Sequence, residues 1–402
     1  MTKLEQLIEE LCPNGVEFKK VKDVFQRLKG TPITAGKMKE IENPNGEIKI
    51  FAGGKTVINA NETDIPNANI TRVPAVLVQS RGVIDVVYYE KPFTFKNEMW
   101  AYTTDNKTTV KYLYYVLKNN IQHFRDAASG MGSLPQISLP VTEEFYIPIP
   151  PLPVQSEIVR ILDNFTELTA ELTAELTAEL TARKKQYEYY RDTLFTVDNC
   201  EYISIKDLAT TNIGLATSVT KHKVGNGILL LHNSDIQQNR IVLKQCEYIS
   251  KEFAFKNSKK LLQKDDIITV HTGDVGTSAV IDDPYIGAIG FTTITTRIYD
   301  KFQITPQYLC HYLNSSKCKA DIAAMTISDR SNLNQKSFEQ LVVPVPSLER
   351  QKQIVSILDR FDALCNDLTS GLPAEIEARQ KQYEYYRDKL LTFQPLEKGG
   401  AL

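Results

Sequence analysis

Ile158-Val159-Arg160-Ile161-Leu162-Asp163, three Thr-Ala-Glu-Leu units at 169–180, and Gln186-Tyr187-Glu188-Tyr189-Tyr190-Arg191-Asp192 together decide the fold. No glycine or proline interrupts the chain from about 154 to 195. The stretch therefore reads as one helix, far longer than the ~10–14 residues usual in globular proteins. Leucines four residues apart advance by about 400°, so the stripe they form drifts only ~40° per unit. Such a stripe stays near one face and requires a partner helix.

Both flanking motifs occur again. Ile354-Val355-Ser356-Ile357-Leu358-Asp359 and the intact copy beginning at Gln382 lie at one offset of 196 residues. The register holds upstream, with Tyr112-Leu113 against Tyr308-Leu309 and Pro148-Ile149-Pro150 against Pro344-Val345-Pro346. Val16-Glu17-Phe18 matches Cys200-Glu201-Tyr202 at an offset of 184, so the second half holds 12 extra residues between the matched zones. So long a period excludes a solenoid and predicts two domains in tandem.

Each half begins with a globule of β-branched and aromatic runs broken by glycines: 48–58, 73–89 and 93–103, then 228–232, 266–271, 278–282 and 286–299. A short helix follows (110–129; 306–324), then a proline-rich exit that forbids continued helix and aims the chain. The expected class is α+β: two mixed α/β globules alternating with two long helices paired as an antiparallel coiled coil, a pseudo-two-fold internal repeat. The expected segments are a helical 1–15, a globule at 16–150, a helical spacer at 151–197, a globule at 198–346, a second spacer at 347–395 and a tail at 396–402. Leu364, Leu368, Leu372 and Ile376 stand opposite Leu168, Leu172, Leu176 and Leu180, but Gly371 and Pro373 predict a break, with Pro373 opening a new turn. An ordinary structural coiled coil explains the stripe equally well.

Composition limits the function. The 402 residues carry 47 bases and 49 acids, with 42% hydrophobic and 24% charged residues. No apolar run approaches the ~20 residues of a membrane span, and acids within the N-terminal segment argue against a secretory signal. Six scattered cysteines without a C-x-x-C pair fit reduced thiols and a cytoplasmic location. A net charge near −2 means that any nucleic-acid role needs a local basic surface. No phosphate loop, dinucleotide fingerprint, zinc helix or nucleophile elbow is present, nor an Asn- or Asp-Pro-Pro-aromatic methyltransferase signature. The five histidines lack metal-ligand spacing, and Asp265-Asp266 reads as solvated acids at a strand entry. The expectation is a non-catalytic protein with no cofactor and no metal.

The exit motif Pro148-Ile149-Pro150-Pro151-Leu152-Pro153-Val154-Gln155, the Thr-Ala-Glu-Leu array and Gln186–Asp192 together closely resemble specificity subunits of type I restriction–modification systems, along the whole chain. The resemblance implies two target recognition domains, each reading half of a split, asymmetric sequence in double-stranded DNA. It also implies helices that set the spacing and dock two methyltransferase subunits, with two restriction and translocation subunits joining the full complex, and a spacer that follows the repeat number. Lys264-Asp265-Asp266-Ile267-Ile268 and Gly273-Asp274-Val275-Gly276 resemble a strand and turn of such domains; the first half offers Val76-Leu77-Val78-Gln79-Ser80-Arg81-Gly82 instead.

Polar and basic residues of strand-linking loops are the candidate DNA contacts, since arginine, asparagine, glutamine and lysine pair with base edges. In the first half they are Lys37, Lys39, Lys55, Asn59, Gln79, Ser80, Arg81 and Gln136. In the second they are Lys221, His222, Lys223, His232, Asn233, His271, Thr272, Arg330 and Asn332. Each competes with the plainer reading of a solvated surface residue. Candidate docking residues are Gln155, Tyr187, Tyr189 and Tyr190, with Gln351, Tyr383, Tyr385 and Tyr386, repeated once per half; packing within the helix pair explains the tyrosines as well. The alternative function is a structural coiled-coil scaffold carrying two protein-interaction domains.

Overall fold

The computed structural model describes residues 2–129, 134–196, 200–216, 218–325, 332–366 and 371–396. It divides into two compact units: Met1–Ala174 with Glu377–Leu402, and Glu175–Ile376. The boundary falls inside the helix Leu152–Leu194 and near the start of the helix Leu372–Leu391. Each unit thus combines one globule with parts of both halves' helices.

In the first unit the opening strand Glu17–Lys20 pairs antiparallel with the exit strand Tyr146–Ile149. A four-stranded antiparallel sheet follows the order Gln26–Leu28, Trp100–Thr103, Ala75–Gln79, Asp85–Tyr89. A three-stranded sheet runs Val57–Ala60, Ile48–Phe51, Phe93–Phe95, the last two parallel. The second unit repeats this plan: Glu201–Ser204 with Val342–Val345; then Ala209–Ile213, Thr293–Ile298, Ile267–Val270, Ser278–Val280; then Lys223–Val224, Glu247–Ile249, Ile228–His232, Ile289–Phe291, again with the last two parallel. It adds the hairpin Ile236–Gln237 with Arg240–Ile241, which lies in the zone of the extra residues and has no counterpart among the described residues of the first unit.

The long helix is anchored at both ends. Val154, Ile158 and Leu162, spaced by four, are fully buried against Val110, Leu113 and Leu117 in the first unit. There the Phe165 ring meets Tyr386 edge-on at 5.9 Å, and the Thr166 and Tyr383 hydroxyls lie 2.9 Å apart, so the two helices run antiparallel. In the second unit Tyr190 stacks on Phe361 at 5.4 Å, and Arg183 and Lys184 lie beside Cys365, antiparallel again with the helix Leu348–Asn366.

The leucine stripe is unevenly covered. Leu176 is buried and Leu172 and Leu180 are half-buried, but Leu168 is 60% exposed. Leu168 still borders one groove with Leu172, Tyr383 and Tyr386. Leu364, its equivalent, is also exposed, and Cys365 takes the buried place; Leu368 lies outside the described residues. Gly371 lies outside any helix and the next helix opens at Leu372, with Pro373 in its first turn, where a missing N–H costs nothing.

The first unit closes on the chain's two ends. Val16 N donates to the Gln394 carbonyl (2.9 Å) and Leu396 N to the Val16 carbonyl (2.8 Å). Gly15, at φ +93°, makes the approach possible, since a Cβ there would stand 2.5 Å from the Gln394 oxygen. Cys12, Cys246, Cys310, Cys318 and Cys365 are free thiols. Among the described residues no helix is long and apolar enough to cross a membrane, and no cluster of metal-ligating side chains is found.

Candidate nucleic-acid interface

In both units a buried central strand ends at a rim where three chain segments meet. In the first, Ala75–Gln79 runs into Ser80-Arg81-Gly82. Ile137 N donates to the Ser80 carbonyl (3.0 Å), Gly82 N to the Pro135 carbonyl (2.8 Å) and Gly54 N to the Arg81 carbonyl (3.2 Å). Arg81 and Gln136 face one another as a β-bridge. Gly82 adopts φ +81°, and a Cβ there would press on the Gly54 backbone at 3.2 Å. The knot leaves Lys55, Arg81 and Gln136 exposed side by side.

The second unit ties the same knot with other residues. Ile267–Val270 ends in His271-Thr272-Gly273, with Gly273 at φ +100°. Leu333 N donates to the His271 carbonyl (2.9 Å), and Thr272 bridges Asn332. Where a backbone amide held Arg81, the Asn233 side-chain amide donates to the Thr272 carbonyl at 2.5 Å. Ser80-Arg81-Gly82 is therefore the structural equivalent of His271-Thr272-Gly273, despite having no Gly-Asp-x-Gly after it. The side chains differ in kind. Among the described residues the Arg81 guanidinium has no hydrogen-bond or ion-pair partner. Thr272 is tied to Asn332 Oδ1 and His271 Nδ1, each at 2.9 Å. Burial pushes the His271 imidazole below its ordinary value.

A family model for the type I restriction modification DNA specificity domain matches residues 13–182 and again 198–378. The chain belongs to the type I restriction–modification specificity subunits. It is 36% identical over 305 residues to the EcoR124I/EcoR124II specificity subunit of Escherichia coli, with 72% of each chain covered. Its fold matches a chain from a structure describing complex assembly and conformational transition of the type I R-M system (TM-score 0.66, 13% identity, 95% of this chain and 98% of that one). It also matches the S subunit from M. genitalium (TM-score 0.50, 17% identity, 94% and 96%). A specificity subunit is the non-catalytic, DNA-recognising part of a complex that also holds methyltransferase and restriction subunits.

Not every candidate of this specificity subunit reaches the rim. Gln79 and Ser80 are buried, Ser80 with its hydroxyl on the Glu98 carbonyl, so their side chains build the knot rather than face solvent. Asn59 donates to the Pro44 carbonyl and Lys37 pairs with Glu40, whereas Lys39 is exposed. In the second unit Lys223 and His232 converge on Glu247 at 2.6 and 2.8 Å, and these two, Lys223 first, hold that carboxyl below the usual range. His222 stacks on Phe253 at 3.9 Å beside the exposed Lys221. Arg330 lies outside the described residues. Asp266, buried, forms a two-pronged pair with Arg297, and Asp265 pairs with Lys301.

Three docking candidates are spent inside their units. Tyr187 is 3% exposed, its hydroxyl accepting from Gln238 (3.2 Å) and Asn239 (2.9 Å). Gln155 donates to the Pro150 carbonyl (2.7 Å) and Gln351 to those of Pro346 and Gln303 (2.9 Å each), buried pins that fix the turn from exit strand into helix. Tyr383 is half-buried on Thr166, while Tyr189 and Tyr385 are 67% and 64% exposed, flanked by Tyr190 and Tyr386.

The sequence reading missed a cleft of about 550 Å³ next to the first rim, lined by Arg27, Lys29, Asn69, Asn97, Glu98 and Trp100. It also missed Glu247. Both are assembled from segments far apart in the chain, and no local pattern marks them.

Proposed function

We propose that this specificity subunit reads a bipartite, asymmetric DNA target, one half-site by each unit, and scaffolds two methyltransferase and two restriction subunits in the cytoplasm. The observation that carries the reading is the rim built twice on one backbone frame with different side chains. An equal frame supplies equal placement, and unequal side chains supply unequal sequence preference. The separation of the half-sites is proposed to follow the length of the helix Leu152–Leu194. Docking in duplicate is supported by the repeated pairs Phe165–Tyr386 and Phe361–Tyr190, each beside an exposed tyrosine. A near-neutral chain suits this role when partner subunits supply many of the phosphate contacts.

The test is long-read methylation mapping of DNA modified by the complex assembled with its methyltransferase. Two unlike half-sequences at a fixed spacing are expected; a palindrome or one uninterrupted site would refute the proposal. Native mass spectrometry of the same complex gives the stoichiometry, and one methyltransferase at saturation would remove the duplicate docking.

A further inference from the structure

Arg81 stands on the first rim as an exposed cation with no partner among the described residues, and its setting points to a base. Resting on the reading that each unit contacts one half-site, we propose that Arg81 recognises a guanine in the first unit's half-site through the major groove. The Arg81 backbone is held by the Gly54 amide and by the bridge to Gln136, while its neighbours Ser80 and Gly82 are held by Ile137 and Pro135. Little main-chain ordering remains to be done on binding. The guanidinium, in contrast, is exposed and unpaired among the described residues, whereas Arg27, Arg72, Arg160 and Arg297 each face a carboxylate.

A planar fork of N–H donors matches the O6 and N7 acceptors of guanine in two parallel hydrogen bonds. A phosphate contact fits the site less well. Phosphate sites on loops gather free backbone amides, and here those of Gly54, Gly82 and Ile137 are all committed to carbonyls. Gln136, directly across the bridge with an exposed side chain, places a second base-edge reader beside the arginine. In the second unit the equivalent Thr272 has its hydroxyl engaged by Asn332 and His271.

The experiment compares wild type with Arg81→Ala, Arg81→Lys and Arg81→Gln, each assembled with methyltransferase subunits, by mapping methylated sites and measuring duplex binding against salt. Arg81→Ala should lose discrimination at one G·C position of one half-site, by about ten- to a hundredfold, with the other half-site and the spacer unchanged. Arg81→Lys should keep a weaker preference for guanine, and Arg81→Gln should shift that position toward adenine. Because the side chain has no partner among the described residues, thermal melting should match wild type for all three. Full sequence specificity in Arg81→Ala, with only a salt slope shallower by about one, would make Arg81 a phosphate contact and overturn the assignment. Relaxation at a position that is not guanine would overturn it too. A wild-type complex that marks no bipartite site would instead remove the reading beneath it.

Discussion

Glu157 is nearly buried at the start of the long helix yet stays ionised. Arg160, one turn on, holds its carboxyl down to about 2, against the opposing effect of burial and with help from Lys3. Its folded value lies below the ordinary 4.5, so its contribution is present above about pH 4.5 and is lost as pH falls from there toward 2. Glu157→Gln should therefore lower the melting temperature at pH 7 by roughly 2–4 °C. The gap to wild type should close as the pH approaches 2–3, and a gap independent of pH would show that the ion pairs are not its cause. Individual residues were the least legible part of the sequence. Tyr187 and Tyr383 occupy identical motifs, yet one is buried under Gln238 and Asn239 and the other is half-exposed on Thr166. The difference comes from the hairpin over Tyr187, which has no counterpart among the described residues of the first unit. Gln155 and Gln351 read as docking residues, although both are buried pins.

Elements were more legible, because period and punctuation act locally. The unbroken helix, the break at Gly371 and Pro373 and the glycine-marked strand ends are all where the residues placed them. The pairing of Glu17–Lys20 with Tyr146–Ile149 was not foreseen, since a short strand containing proline carries little β signal. The Thr-Ala-Glu-Leu array makes its own prediction. Removing one unit shortens the helix by ~6 Å and turns everything beyond it by only ~40°. The variant should fold, recognise the same two half-sequences and accept a spacer shorter by about two base pairs. Removing one residue instead rotates the distal part by ~100° and should abolish bipartite recognition. Methylation mapping of both deletions decides, and an unchanged spacer after the four-residue deletion would reduce the array to filler.

For the whole molecule, duplication was plain from one constant offset, but the composition of each unit was not, because the final helix packs on the first globule. A domain exchange tests how separable the readers are. Residues 201–346 begin and end on paired strands, with Glu201 directly across from Val345, so a graft enters and leaves at one point. Replacing them with the matching part of a related subunit should change one half-site and leave the other intact; altered methylation of both halves would contradict independent reading. The closure at Val16 and Gln394 bears on how the protein is made. The second unit is a continuous run, Glu175–Ile376, and needs nothing synthesised after it to complete its core. The first unit includes Leu391 in its core and Pro395 beside Val16, so the part synthesised first depends on residues made more than two hundred positions later. A chain cut short before Leu391 keeps everything that the second unit needs, and the domain made first is the one left open.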